Sequence, residues 1–241
     1  RPTGLSIKKV NNEKMSTNNK DELKKLWDSF FNHLYETSTY CELLFCCALS
    51  KSKVYLGDQD ANHNVEIMKK YNYFFRSLES GICYATVLSI TQLFEDGKNK
   101  QKRTLSYLLD EAKKYKIDRG KEFEKLKEEH KESLEMLKNA RDTYFAHREK
   151  DYILPTIPSS DKMYELINDV ARLLNSMGKD LIEGGVSYWW KDEEAGWKKE
   201  MQRDFQHVLD NLHRGEATRL AEISVTYGRK LYNDGKHDIR E

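Results

Sequence analysis

The sequence predicts an all-α fold, an antiparallel helical bundle with an additional helix near its C-terminal end. Three observations carry that expectation. Apolar residues recur at intervals of three and four along most of the chain, charged residues make up 34% of it against roughly 25% in globular proteins, and only three prolines interrupt it. Long amphipathic helices with solvated outer faces satisfy all three conditions. No segment alternates apolar and polar residues well enough for a sheet, and no internal repeat is present.

The elements follow in order. Asn19 is placed to cap a first helix, with Glu22 three residues later completing a capping-box-like pair, and Leu23, Leu26, Trp27, Phe30, Phe31 and Leu34 keep helical spacing to about Ser50. The polar turn Gly57-Asp58-Gln59-Asp60 precedes a second long helix, about Asn64 to Glu95, whose apolar positions include Phe74, Leu78, Ala85, Leu88 and Leu93 and which Gly97 stops. Thr104 caps a shorter helix to about Tyr115, and Asp118-Arg119-Gly120 forms a turn. A fourth helix runs from about Lys121 to Lys150, with Pro155 and Pro158 in the loop beyond it. Ser159 or Ser160 starts a fifth, Met163 to about Ile182, closed by Gly184-Gly185. After the aromatic turn Tyr188-Trp189-Trp190 comes a final amphipathic helix, about Glu193 to His213. These signals divide the chain into an N-terminal segment, 1–19, disordered or extraneous, with Met15 a candidate for the natural start; a helical domain, 20–185; and a C-terminal helix and tail, 186–241.

Charge and cysteine usage narrow the function. Lys and Arg number 41 against 40 Asp and Glu, so no global positive field advertises nucleic-acid binding, and such a site must come from local clustering. Cys41, Cys46, Cys47 and Cys83 lie in apolar helical patterns without the C-x2-C spacing of zinc sites, and read as reduced core thiols of a cytoplasmic protein with no metal centre and no cofactor. The longest apolar run, Leu43 to Leu49, is far short of a membrane span, and the polar N-terminal residues hold no signal-peptide core.

The segment Arg141-Asp142-Thr143-Tyr144-Phe145-Ala146-His147-Arg148-Glu149-Lys150 holds the candidate chemistry. A neutral imidazole can take the proton of a ribose 2′-hydroxyl, and a permanently charged guanidinium can stabilise the phosphorane that follows. On a regular helix Arg141 and His147 are about 9 Å apart along the axis and about 120° apart around it, awkward for one phosphate within one subunit. Two copies brought together remove the difficulty. Leu134, Leu137, Ala140 and Tyr144 trace a buried stripe that His147 continues, so the plainer reading is a satisfied histidine at the core edge and an arginine in a surface ion pair.

Arg141-Asp142 followed by Phe145-Ala146-His147-Arg148 resembles the R-x(4 to 6)-H signature of the HEPN superfamily. The segments Tyr73 to Leu78, Leu88 to Asp96 and Thr104 to Leu109 are similar to helices of its AbiU-like branch, associated with bacterial abortive infection. The resemblance covers roughly Lys20 to Gly185. It implies a HEPN-like bundle that dimerises and joins two motifs in one cleft. It implies, too, a metal-independent endoribonuclease acting as toxin or antiviral effector, with RNA as substrate and an antitoxin or defence-system partner. Arg141 and His147 become the catalytic pair and Asp142 a residue that orients one of them. The tyrosine that nucleotidyltransferase-paired toxins carry two residues after the histidine is Glu149 here, and Tyr152 lies too far along to replace it. A catalytically inactive HEPN module binding nucleotide, RNA or a protein partner is the alternative, and an unrelated helical interaction protein the next.

Two further features bear on RNA. Between Lys98 and Lys121 stand nine basic residues, Lys98, Lys100, Lys102, Arg103, Lys113, Lys114, Lys116, Arg119 and Lys121, against Asp110, Glu111 and Asp118. Lys98, Lys100, Lys102 and Arg103, with Arg148, are the candidate phosphate contacts, and a solvated loop is the plainer reading. Tyr188, Trp189, Trp190 and Trp197 offer rings for base stacking, although helix packing explains them more simply.

Overall fold

The computed structural model describes residues 6–95, 104–145, 156–181 and 196–237, and among them there is no strand. Helix α1 spans Ser6–Leu49, so Asn19 lies within the helix and does not cap it. Short α2, Lys53–Leu56, leads through Gly57 into α3, Asp58–Lys70. Gly57 has φ +84°, a conformation that costs glycine little and other residues more, but Asp58, Gln59 and Asp60, expected in the turn with it, form the first turn of α3. The expected second long helix is broken at Tyr71, after which α4 covers Asn72–Phe94. Then come α5, Leu105–Lys113; α6, Gly120–Glu129; α7, Lys131–Asn139; and a π-helical turn, Ala140–Phe145. Helix α8 is Ser160–Leu181 and α9 is Gly196–His237, ending 24 residues beyond the expected His213.

The chain forms two compact units, one of residues 1–45 and 77–195, the other of 46–76 and 196–241. In the first, α1 and α8 run antiparallel: Trp27 Nε1 donates to the Leu174 carbonyl at 2.8 Å, and further along α1 Glu42 accepts from the Tyr164 hydroxyl. Trp27 is fully buried, its ring edge-on to Phe31 at 4.8 Å between centroids. It approaches α8 at Gly178, where an added Cβ would lie 2.5 Å from Trp27 Cζ2. Glycine is thus required there by space. Leu23, Phe30, Phe31 and Leu34 join Trp27 in a core with Leu105, Leu108, Leu137, Leu166, Leu174 and Met177.

Helices α6 and α7 lie antiparallel to α8. Arg119 pairs with Asp180 at 2.5 Å, His130 Nε2 meets Asp169 Oδ2 at 2.8 Å, and Lys162 reaches Glu132 at 2.9 Å. His130 sits at the break between α6 and α7, so the expected single fourth helix is two helices with a pinned joint. Thr104 caps α5 by accepting from the Tyr107 amide at 3.3 Å, and Asp118 Oδ1 accepts from the Gly120 amide at 3.0 Å, as the capping and turn patterns foretold.

The second unit pairs α3 with α9. Asn64 Nδ2 donates to the Ser50 carbonyl at 3.1 Å and to Gln206 Oε1 at 3.2 Å, while Glu216 takes Lys70 at 3.4 Å and Arg219 at 2.9 Å. His63 and His213 lie with ring centroids 3.6 Å apart. Ile67, Met68, Phe75 and Leu209 are buried. All four cysteines of the chain are buried. Among the described residues, no helix is long and apolar enough to cross a membrane.

Candidate active site

Arg141 is the second residue of the π turn, directly after Leu137 and Ala140 have buried their side chains in the core. A π turn closes i to i+5 rings, one residue wider than the α-helix, and such turns are frequent at functional sites. Regular α-helical spacing therefore does not hold within Ala140–Phe145. His147 and Arg148, with Ala146 and Glu149, lie outside the described residues.

The Arg141 guanidinium is held on two sides. Its Nε donates to Asp142 Oδ1 at 2.8 Å, and its Nη1 donates to Glu95 at the end of α4. Among the described residues its Nη2 makes no hydrogen bond, and the side chain remains 23% exposed. The hydrogen bond from Arg141, reinforced by the charges of Arg141 and Lys138, holds the Asp142 carboxyl below the usual carboxylate range. Asp142 thus stays ionised and oriented on the guanidinium. Of the expected pair, Arg141 is the residue that Asp142 contacts.

Glu95 was not foreseen. It reaches Arg141 because α4 is fixed at this end: Leu93 is buried, and Phe94 stacks on Phe123 of α6 with centroids 6.0 Å apart and planes 15° apart. No local pattern links a residue to one 46 positions on, and only its place in a segment similar to a known helix singled it out.

The basic segment divides. Lys98, Lys100, Lys102 and Arg103 lie outside the described residues. Of the rest, Lys114 is paired with Glu111 at 2.6 Å, Lys113 with Asp118 at 3.6 Å, and Arg119 with Asp180. Three of the five cations in that half are thus paired with carboxylates, which lessens their attraction to phosphate. Tyr188, Trp189 and Trp190 also lie outside the described residues, and Trp197 falls in the first turn of α9. Among the described residues, no three histidine, cysteine, aspartate or glutamate side chains are grouped to hold a metal ion.

A sequence profile of the AbiU2 family of HEPN proteins matches residues 20–193, nearly three quarters of the chain. The chain belongs to the AbiU2 family. The match takes in α4 to α8, the π turn, Glu95, Arg141, Asp142 and His147, and it ends before α9. The all-α architecture agrees with the HEPN assignment, and the protein is accordingly a HEPN-type module of an abortive-infection family. No curated protein and no solved structure matches the chain.

Proposed function

We propose that this AbiU2-family protein is a metal-independent endoribonuclease, a toxin or antiviral effector, in which Arg141 and His147 from two copies meet at a dimer cleft. The observation that carries the reading is Arg141. It lies in the family-matched region, leaves a core-packed helix through a π turn, and among the described residues its Nη2 makes no hydrogen bond. His147 as base would take the proton from a ribose 2′-hydroxyl. The 2′-oxygen then bonds to phosphorus, Arg141 neutralises charge on the phosphorane oxygens, and the 5′-oxygen departs with a proton. The products are a 2′,3′-cyclic phosphate and a 5′-hydroxyl. The other imidazole of the cleft is available as the acid, and Lys98, Lys100, Lys102, Arg103 and Arg148 would hold the backbone of the RNA.

Purified protein should cleave single-stranded RNA in excess EDTA and leave DNA intact, because DNA lacks the 2′-hydroxyl. His147→Ala should slow cleavage about 10²-fold or more without changing the melting temperature or the dimer. Cleavage that survives both His147→Ala and Arg141→Ala in folded protein would remove this site. A second reading, a catalytically silent HEPN module that binds nucleotide, RNA or a protein partner, draws on the same residue: two carboxylates on one guanidinium also make a structural strut. Wild-type protein that binds RNA and cleaves none of a broad panel would favour it.

A further inference from the structure

We propose that Glu95 is a positioning residue, which with Asp142 clamps the Arg141 guanidinium so that its Nη2 edge faces the scissile phosphate; this rests on the endoribonuclease reading above. A guanidinium has five N–H donors in one plane, so fixing two of its nitrogens fixes the direction of the third. Asp142 takes Nε and Glu95 takes Nη1. The two carboxylates arrive from different elements, Asp142 from the π turn itself and Glu95 from the end of α4. A single carboxylate on the same turn would leave the long arginine side chain free to swing about its own bonds. The second, anchored through Phe94 on Phe123, removes that freedom before substrate binds. Glu95 is 38% exposed, Asp142 50% and Arg141 23%, so the clamp lies at the surface. Glu95 accepts without touching the reacting atoms, and its effect on rate passes through Arg141.

The experiment measures cleavage of a single-stranded RNA oligonucleotide by full-length wild type, Glu95→Ala, Glu95→Gln, Arg141→Ala and the Glu95→Ala/Arg141→Ala double variant, with melting temperatures alongside. Glu95→Ala should lower kcat roughly 10- to 100-fold with KM little changed, the scale on which misplacing a catalytic group acts. Glu95→Gln retains an acceptor oxygen and should recover most of the rate. In the Arg141→Ala background Glu95→Ala should have no further effect, because its target is gone. Unchanged or faster cleavage by folded Glu95→Ala overturns the proposal and leaves the ribonuclease reading intact, as does a loss of equal size in the Arg141→Ala background. Wild-type protein that cleaves nothing overturns the ribonuclease reading. The clamp is then judged by nitrogen-15 NMR of the Arg141 Nε–H: a sharp, slowly exchanging signal that Glu95→Ala broadens supports it, and a signal indifferent to Glu95 overturns it.

Discussion

Replacing Gly178 with alanine sets two well-known effects against each other. In a helix interior, alanine is favoured over glycine by about 0.8–1.0 kcal/mol, so the change alone should stabilise α8. The added Cβ, however, would sit 2.5 Å from Trp27 Cζ2 and 3.1 Å from Cη2, where carbon atoms prefer about 3.5–4.0 Å. Trp27 has little room to retreat, being fully buried, bonded to the Leu174 carbonyl and packed against Phe31. An overlap of about 1 Å against a pinned ring belongs at the upper end of the roughly 1–3 kcal/mol seen for overpacking. The net expectation is about 2 kcal/mol of destabilisation, or a melting temperature lower by about 4–8 °C in a chain of this size. Gly81→Ala on α4 is the control in the same unit: nothing lies within 4 Å of a Cβ there, and it should raise the melting temperature by about 2–4 °C. Calorimetry or circular dichroism reads both. Trp27→Phe removes the colliding atoms, so Gly178→Ala should cost less in that background than in wild type, a non-additivity a double-mutant cycle resolves. A Gly178→Ala protein that melts at or above wild type would refute the close-approach account of this glycine.

Three further outcomes are expected. Thr104→Ala should destabilise the first unit by about 1 kcal/mol through loss of the α5 cap, checked by urea titration. Reversing Lys100, Lys102 and Arg103 to glutamate should weaken RNA binding and flatten its dependence on salt, since fewer counterions are released; an unchanged slope in fluorescence titrations would assign those residues to solvation. Glu216 is held below the usual carboxylate range first by its hydrogen bond from Arg219 and then by Lys70. Its contribution is therefore present above the ordinary glutamate pKa and lost as pH falls through the lowered native value, because there the unfolded chain binds the proton more readily. Hydrogen exchange in α9 should accelerate on acidification in wild type, and Glu216→Gln should reduce that pH dependence.

Much of the fold was legible because its signals are local. Thr104, Asp118-Gly120 and Ser159 act within three residues of themselves, and Leu23, Trp27, Phe30, Phe31 and Leu34 are buried as their spacing implied. The breaks at Tyr71 and His130 were not legible. Neither residue interrupts a helix by itself, and His130 finds its partner, Asp169, 39 residues further on. The extra length of α9 beyond the expected end at His213 was not legible, and the helix runs straight through Gly215. Glycine costs a helix only about 1 kcal/mol, and Glu216 beside it is tied to both Lys70 and Arg219. At the candidate site, Arg141 and Asp142 stand out by residue type. The π turn has no residue signature, and Glu95 is joined to them only by tertiary packing.

The two units share helices: the boundaries at 45/46 and 76/77 fall inside α1 and α4. A truncation after residue 193, where the family match ends, is therefore not a removal of an appendage. It would leave 46–76 in place while deleting Gln206, His213 and Glu216, the α9 partners of Asn64, His63 and Lys70. Buried Asn64 would lose its side-chain partner Gln206, and Lys70 would lose buried Glu216. Fragments cut by homology alone should accordingly be less stable, and functional work on the HEPN module requires the chain with α9 attached.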